Sequence, residues 1–170
     1  MVFIDEAGVS SALSYNYGWA PAGETPVIER PARGKNITLI GAIALDGVRV
    51  LSRVEGYVTG AVFVNFLRND LGPTLKPGDI VVLDGPRIHR VAGVEEALAE
   101  FGATVQYLPP YSPELNPIEM AWAWVKRLLR KAAPRRAARL KAAIHKFWGT
   151  ITPFLCQGWI RHCGYATAST

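Results

Sequence analysis

Residues 36–55 read NITLIGAIALDGVRVLSRVE, and this stretch decides the fold. Asn36–Leu45 is a continuous apolar run rich in β-branched side chains, which predicts a buried strand. Asp46-Gly47 follows it, a pair typical of the tight turn between two antiparallel strands. Val48–Glu55 then alternates apolar and polar residues, as a strand with one buried face does. The stretch therefore predicts a β-hairpin.

Apolar runs on both sides of this hairpin predict the remaining elements. Met1–Asp5, Asp79–Asp84 and Ala103–Leu108 are short, strand-like runs. Helical patterns cover residues 59–69, 93–101, 117–132, 135–147 and 151–163, with Thr59 as the N-cap of the first. The resulting order is β-β-β-α-β-α-β-α followed by C-terminal helices. It predicts an α/β chain with a ribonuclease H-like fold, a five-stranded mixed sheet flanked by helices.

The charges are distributed unevenly along the chain. All 14 acidic residues lie between Asp5 and Glu119, together with only nine Lys and Arg. Residues 120–170 hold ten Lys and Arg and no acid. A tail without acids cannot neutralise its own bases, so we expect it to bind a polyanion such as nucleic acid. A solvated helix face is the alternative explanation.

Composition excludes several classes of protein. A chain of 170 residues is long enough for one domain with its own core. No run approaches the ~18 apolar residues of a membrane span, and no signal segment precedes Asp5, so we expect a cytoplasmic protein without a membrane partner. Cys156 and Cys163 lack the paired spacing of zinc modules and are expected to be buried free thiols in a C-terminal helix.

Three carboxylates stand where predicted elements begin or end. Asp5 and Asp84 each end a predicted strand, and Glu119 lies in the first turn of the helix after the fifth strand. Acids that converge at one sheet edge repel one another unless hard cations such as Mg²⁺ neutralise them. Ordinary turns explain the two aspartates equally well. A capping box with Asn116 as the N-cap explains Glu119.

The stretch Leu108–Glu119 (LPPYSPELNPIE) resembles the loop-helix signature of DDE-type transposases of the mariner-like superfamily, in its bacterial insertion-sequence branch. Trp122 and Lys126 continue the signature. Phe3–Glu6, Gly18–Pro26 and the segment from Asp84 to His89 resemble the other motifs of this family. The 34 residues between Asp84 and Glu119 match its spacing. The resemblance covers residues 1–150.

The resemblance implies a function and a site. Asp5, Asp84 and Glu119 would be the catalytic, metal-binding triad and hold two Mg²⁺ or Mn²⁺ ions. The protein would cleave DNA at transposon ends and transfer the strands to target DNA. It would be associated with the bacterial nucleoid. It could also pair with a second copy of itself as a homodimer. Glu6, on the opposite face of its strand, is not a metal-ligand candidate.

The basic tail and His89 are the candidate DNA-binding groups. Lys126, Arg127, Arg130 and Lys131 form one stripe on the predicted helix, and Arg135 and Arg136 extend it. Such side chains contact phosphates without reading sequence. His89 would help to position a phosphate or Asp84. We divide the chain into a catalytic core, 1–133, and a basic helical extension of the same domain, 134–170.

Two departures from the family affect the interpretation. Relatives usually carry Asn after the second aspartate, where this chain has Gly85. They also carry an N-terminal helix-turn-helix that reads transposon ends, which implies a truncated copy or a separate reading-frame product here. A weak or inactive remnant that binds DNA non-specifically is therefore the alternative function. A nuclease for RNA·DNA hybrids is a third hypothesis, which the proline-rich signature disfavours.

Overall fold

The computed structural model describes residues 1–15, 18–27, 36–54, 56–85 and 87–166, without the side chains of Arg87 and Ile88. Five strands form one sheet in the order β3-β2-β1-β4-β5. Strands β1 to β3 are antiparallel, whereas β4 is parallel to β1 and β5 is parallel to β4. The strands are β1 (Val2–Ser10), β2 (Asn36–Ala44), β3 (Gly47–Val54), β4 (Ile80–Leu83) and β5 (Thr104–Tyr107). The predicted five-stranded mixed sheet is confirmed.

Strand β1 is longer than predicted. The prediction that Asp5 ends this strand is wrong, because Asp5 lies at its middle and pairs with Gly41 of β2. Residues 6–10 are less apolar than the start of the strand, but the long buried run of β2 gives them an antiparallel partner. Only Val2 and Phe3 pair with β4. If this parallel register is continued for two more residues beyond Phe3 and Val82, Asp84 lies beside Asp5.

In the described ranges, five α-helices flank the sheet: α1 (Gly60–Phe66), α2 (Val94–Ala99), α3 (Ile118–Ala132), α4 (Ala137–Trp148) and α5 (Pro153–His162). As predicted, Thr59 caps α1, with its side chain accepting a hydrogen bond from the N–H of Val62. Helical structure then continues past Gly72, through a π-helical turn and a 3₁₀ turn that ends at Thr74. Pro73 fits the start of that last turn because no N–H is needed there.

The sheet separates two apolar cores. On one face, Phe63, Leu67 and Leu98 of the crossover segments cover β1, β2 and β4. On the other face, α3, α4 and α5 share a single cluster with the sheet, in which Trp122, Ile144 and Cys156 are buried. The proposed boundary at residue 133 therefore crosses one continuous core, and the division of roles between its two sides stays a prediction. Cys156 and Cys163 are buried free thiols, as expected.

The connection between α3 and α4 is a tight turn. Ala133 adopts a left-handed conformation with φ of 42°, and its N–H donates to the carbonyl of Leu129. Pro134 follows and cannot extend the helix. No helix in the described residues is both long and apolar enough to cross a membrane.

Candidate active site

Asp5 is a buried carboxylate in the middle of the sheet. Its side chain points to the face opposite that of Glu6, because successive side chains of a strand alternate. Burial, followed by the negative charges of Glu119 and Asp84, raises the pKa of Asp5 to about 7. The N–H of Glu6 partly offsets this by hydrogen bonding to the carboxylate. The charges of Asp84 and Glu119 therefore act on Asp5.

Asp84 directly follows β4, at the point where the short strand stops pairing with β1. Its side chain is about one third exposed, at 37%. One carboxylate oxygen, Oδ1, lies 2.6 Å from Nδ1 of His89. Asp84 thus faces solvent on one side and is held by an imidazole on the other.

Glu119 is exposed in the first turn of α3. The capping-box interpretation of this residue is wrong, because no side chain caps α3 and the buried Oδ1 of Asn116 has no hydrogen-bond partner. Negative charge at a helix N-terminus is still favourable. Glu119 therefore does not cap α3 together with Asn116, and its carboxylate is available for a functional role.

A pocket of about 380 Å³ opens between the end of β4 and the start of α3. Asp84 and Glu119 line it together, and the proline-rich loop forms the remaining wall. Tyr111 in this loop is fully exposed and has a positive φ of 58°. Asp5 lies beneath the surface and does not line the pocket. The residues that line the pocket are Asp84, Gly85, Pro109, Pro110, Tyr111, Ser112, Pro113, Asn116 and Glu119.

His89 is completely buried, although its sequence position suggested an exposed loop. A side chain without exposed surface offers nothing to a phosphate group from solvent. Its Nε2 lies 2.9 and 3.1 Å from the two carboxylate oxygens of Glu6. Burial lowers the pKa of His89, but its hydrogen bonds to Asp84 and Glu6 and their negative charges outweigh burial and raise the pKa to about 10. The sequence analysis did not include Glu6 in the site. The position of Glu6 in the sequence does not indicate that His89 connects it to Asp84.

The donor atoms at this edge are suited to a hard divalent cation. Carboxylate oxygens are the ligands that Mg²⁺ and Mn²⁺ prefer. Burial, together with the charges of Glu119 and Asp84, raises the pKa of Asp5, and a cation would offset both effects. In the described ranges, however, no three His, Cys, Asp or Glu side chains already stand at metal-binding distances from one another. The carboxylates of Asp5, Asp84 and Glu119 are therefore chemically suited to bind a cation. They would have to move closer together to coordinate it.

The predicted DNA-binding bases lie along α3 and the turn to α4. Lys126 and Arg130 are half-buried, and Arg127, Lys131, Arg135 and Arg136 are exposed. None of these six forms a salt bridge with a carboxylate of the described residues. Beside them is a groove of about 520 Å³ whose charged lining residues are Arg135, Arg136, Arg139 and Lys146.

Arg127, Arg135 and the neighbouring Trp124 have contacts within the protein. Trp124 donates from Nε1 to Oγ1 of Thr150, and the guanidinium of Arg127 lies 4.6 Å from the centre of its ring. Arg135 donates to the carbonyls of Ser11 and Leu13, and so connects the turn to the segment after β1. Trp124 is therefore packed against neighbouring side chains of the protein.

The comparisons define the class of protein. A family model described as DDE superfamily endonuclease matches residues 1–141. The chain therefore belongs to the DDE superfamily endonuclease family, as the resemblance of its motifs indicated. A search of curated proteins finds no match.

Solved structures show which fold this family member shares. A Mos1 transposase paired-end complex with the left transposon end superimposes with a TM-score of 0.80 at 19% identity, over 95% of this chain and 51% of that one. A Mos1 mariner paired-end complex with Mn gives 0.75 at 18% identity, over 95% and 52% of the chains. The catalytic domain of Mos1 mariner transposase gives 0.63 at 14%, over 95% and 76%. The chain spans about half the length of the first two Mos1 chains, and the predicted ribonuclease H-like fold is confirmed.

Proposed function

We propose that this chain is the catalytic part of a transposase, which cleaves DNA strands and transfers them with the help of divalent cations. The observation that carries the proposal is the position of three acids at one edge of the sheet: the register of β1 and β4 brings Asp84 level with Asp5, and Asp84 and Glu119 line one pocket. Burying a carboxylate beside two others costs free energy, so selection for stability alone would not favour it. Membership of the endonuclease family supports the same role.

Asp5, Asp84 and Glu119 would hold the cations, and two ions are the number that suits phosphodiester transfer. Mos1 structures solved with Mn and with Mg support the use of such ions. When bound, the cations would stabilise the charge that develops on the attacking and leaving oxygens. The buried Asp5 would supply a rigid ligand at the back of the site. Glu119, at the mouth of the pocket, would close the site from the side on which DNA enters.

DNA is the proposed partner, and it would lie across the basic surface formed by Lys126, Arg127, Arg130, Lys131 and Arg136. Because such contacts are made to phosphates, they would hold DNA without selecting its sequence. Mos1 has been solved with transposon-end DNA, which supports the proposal. Recognition of transposon ends would come from a helix-turn-helix outside residues 1–170, carried in the same polypeptide or by a separate product. Assembly as a homodimer would let two ends be cut together.

The test is cleavage of a labelled duplex that carries the ends of the element, in Mn²⁺, with a helix-turn-helix domain fused upstream of Met1. We expect end-specific cleavage by the fusion and only slow, sequence-indifferent nicking by residues 1–170 alone. Glu119→Gln in the fusion should abolish cleavage and leave DNA binding intact, whereas Glu96→Gln, an exposed carboxylate on α2, should change neither. A fusion that binds ends tightly and cuts nothing would overturn the proposal.

A second candidate is a remnant that binds DNA without cutting it. Two observations favour it: Gly85 replaces the usual Asn, and no three ligands are at metal-binding distances among the described residues. The two candidates differ in metal binding. Mn²⁺ should raise the melting temperature of an enzyme by mass action, and Asp84→Asn should remove that shift. A remnant should show the same melting temperature with and without Mn²⁺.

A further inference from the structure

A bridge of three residues, Glu6, His89 and Asp84, connects the two faces of the sheet edge. Asp5 and Glu6 are adjacent in β1, so their side chains leave the strand on opposite faces. Glu6 is mostly buried, and both of its carboxylate oxygens lie within 3.1 Å of Nε2 of His89. Glu6 is therefore directed to His89 and away from the pocket that Glu119 lines.

His89 completes the bridge on its other side. It lies in the 3₁₀ turn Arg87–Arg90 that follows β4. Its Nδ1 is 2.6 Å from Oδ1 of Asp84 and 3.3 Å from the backbone carbonyl of the same residue. Both ring nitrogens thus have oxygen acceptors, one from β1 and one from the residue after β4. His89 therefore joins β1 to the end of β4.

The ring of His89 is fixed by its surroundings. Phe63 of α1 lies against it, with 4.5 Å between ring centres. The hydroxyl of Tyr107 in β5 donates to the backbone carbonyl of His89 at 2.9 Å. The side chain has no exposed surface through which it could swing out. His89 therefore presents Nδ1 to Asp84 in one orientation.

Stability alone does not account for this arrangement. Burying an imidazole with two carboxylates costs desolvation free energy, and apolar side chains of similar volume are often equally stable there. A structural histidine also needs only one acceptor for its proton. The second carboxylate it holds is Asp84, which belongs to the proposed catalytic site.

We propose that Glu6 and His89 are positioning residues that fix the carboxylate of Asp84 for a divalent cation. This inference rests on the proposed function. Oδ1 is buried and paired with His89, so Oδ2 would be the oxygen of Asp84 that contacts an ion. Gly85 has no side chain with which to orient its neighbour, and the bridge from Glu6 supplies that orientation from the opposite face. The two adjacent acids thus serve the cation site in different ways. Asp5 would bind the ion directly, and Glu6 would orient Asp84 through His89.

Two substitutions of His89 separate positioning from packing. The amide nitrogen of Asn takes the place of Nδ1, so His89→Asn keeps a donor for Asp84. That of Gln reaches the place of Nε2, so His89→Gln keeps a donor for Glu6 only. Both are smaller than His and should lower the melting temperature of the metal-free protein similarly. We expect His89→Gln to weaken Mn²⁺ binding by 10-fold or more, the effect typical of groups that orient ligands, and His89→Asn by clearly less.

Glu6→Asp provides a second variant, in case the substitutions of His89 prevent folding. It retains the negative charge but withdraws the carboxylate from Nε2 by one methylene. A change in Mn²⁺ affinity then cannot be attributed to lost charge. We expect a three- to tenfold weaker affinity, although Glu6 lies on the face away from the ion. His145→Asn and His145→Gln, at an exposed position of α4, are the matched controls and should leave Mn²⁺ affinity unchanged.

The readout is Mn²⁺ affinity, from electron paramagnetic resonance of the free ion, with the melting temperature in EDTA measured beside it. Equal affinities of His89→Asn and His89→Gln, or an unchanged affinity of Glu6→Asp, would overturn the positioning role while leaving the proposed function in place. Absence of Mn²⁺ binding by the unmodified protein and by its complex with duplex DNA would overturn both.

Discussion

Gly41 of β2 lies directly beneath the ring of Trp122, so closely that a Cβ at this position would be 2.6 Å from Cη2 of the indole. The ring of Trp148 would be 2.7 Å from the same Cβ. The two indoles contact each other, with 4.9 Å between ring centres, and both are buried. Gly41 is also the residue that pairs with Asp5. The backbone that carries Asp5 is therefore covered by α3 and α4 at a point where only glycine fits.

Gly41→Ala should destabilise the protein by about 1–3 kcal/mol, because two large rings packed against each other cannot both move aside. Gly8→Ala is the control: Gly8 is in β1, is exposed, and has nothing within 4 Å of an added Cβ. Its substitution should be neutral or slightly stabilising. Urea unfolding of the two variants measures the difference, and equal stabilities would contradict the close contact at Gly41.

Much of the fold was predictable because its signals are local. The apolar run and turn at residues 36–55 identify the hairpin, and Pro134 separates α3 from α4. The length of β1 was not predictable, since residues 6–10 are held in the strand by pairing with β2. That pairing joins residues about 30 positions apart, which local patterns do not record.

The candidate site was predictable only in part, for a related reason. Asp84 and Glu119 are recognisable from the elements that they follow or begin, and their motif names the family. The bridge from Glu6 to His89 joins residues 83 positions apart, and it appears only once β1 and β4 are neighbours. A histidine in a short loop is ordinarily exposed, so its complete burial had no sequence signal.

Asp5→Asn should stabilise the metal-free protein. The pKa of Asp5 is raised from 3.8 to about 7, mainly by burial and then by Glu119 and Asp84. A carboxyl group with a raised folded-state pKa favours the native state below its unfolded-state pKa, and this contribution is lost as the pH rises through 7. Removing the charge should therefore add on the order of 1–3 kcal/mol at pH 8, and less at pH 5.5.

Unfolding in EDTA at the two pH values measures this effect, with the exposed Glu96→Gln as a control that should change little. The sign should reverse in saturating Mn²⁺, because the unmodified protein then gains binding free energy that the variant lacks. A variant less stable than the unmodified protein in EDTA at pH 8 would contradict the crowding of charge at Asp5.

Ala133→Gly should also stabilise the protein. Ala133 adopts a left-handed conformation at the end of α3, which costs an L-residue with a Cβ about 1–2 kcal/mol. Glycine avoids that strain but adds about 0.4–1 kcal/mol of unfolded-state entropy, so the net gain should be about 0.5–1 kcal/mol. The control is Ala123→Gly, an exposed position inside α3, which should lose about 1 kcal/mol. Thermal unfolding of both variants tests the prediction, and a loss in Ala133→Gly would contradict the turn geometry.

The basic surface should bind duplex DNA in a strongly salt-dependent manner. Lys131 and Arg136 of this surface and Arg139 of the adjacent groove are exposed, and no salt bridge joins them to a carboxylate of the described residues. Each phosphate that a base neutralises contributes about 0.9 to the slope of log K against log salt. Changing these three residues to Gln should therefore flatten the slope by up to about 3. Arg135 is left in place because it also hydrogen-bonds to Ser11 and Leu13.

A second triple variant separates local contacts from net charge. Arg53, Arg68 and Lys76 are also exposed but lie in the acidic part of the chain. Arg68 and Lys76 form ion pairs at the surface, and such pairs contribute little to stability. Changing them to Gln removes the same charge, and we expect the salt slope to stay within about 0.5 of its original value. Fluorescence anisotropy on two unrelated duplexes measures both variants. Equal flattening by the two would mean that overall charge alone attracts DNA. Loss of binding to only one duplex by the first variant would mean that this surface reads bases, since phosphate contacts carry no sequence information.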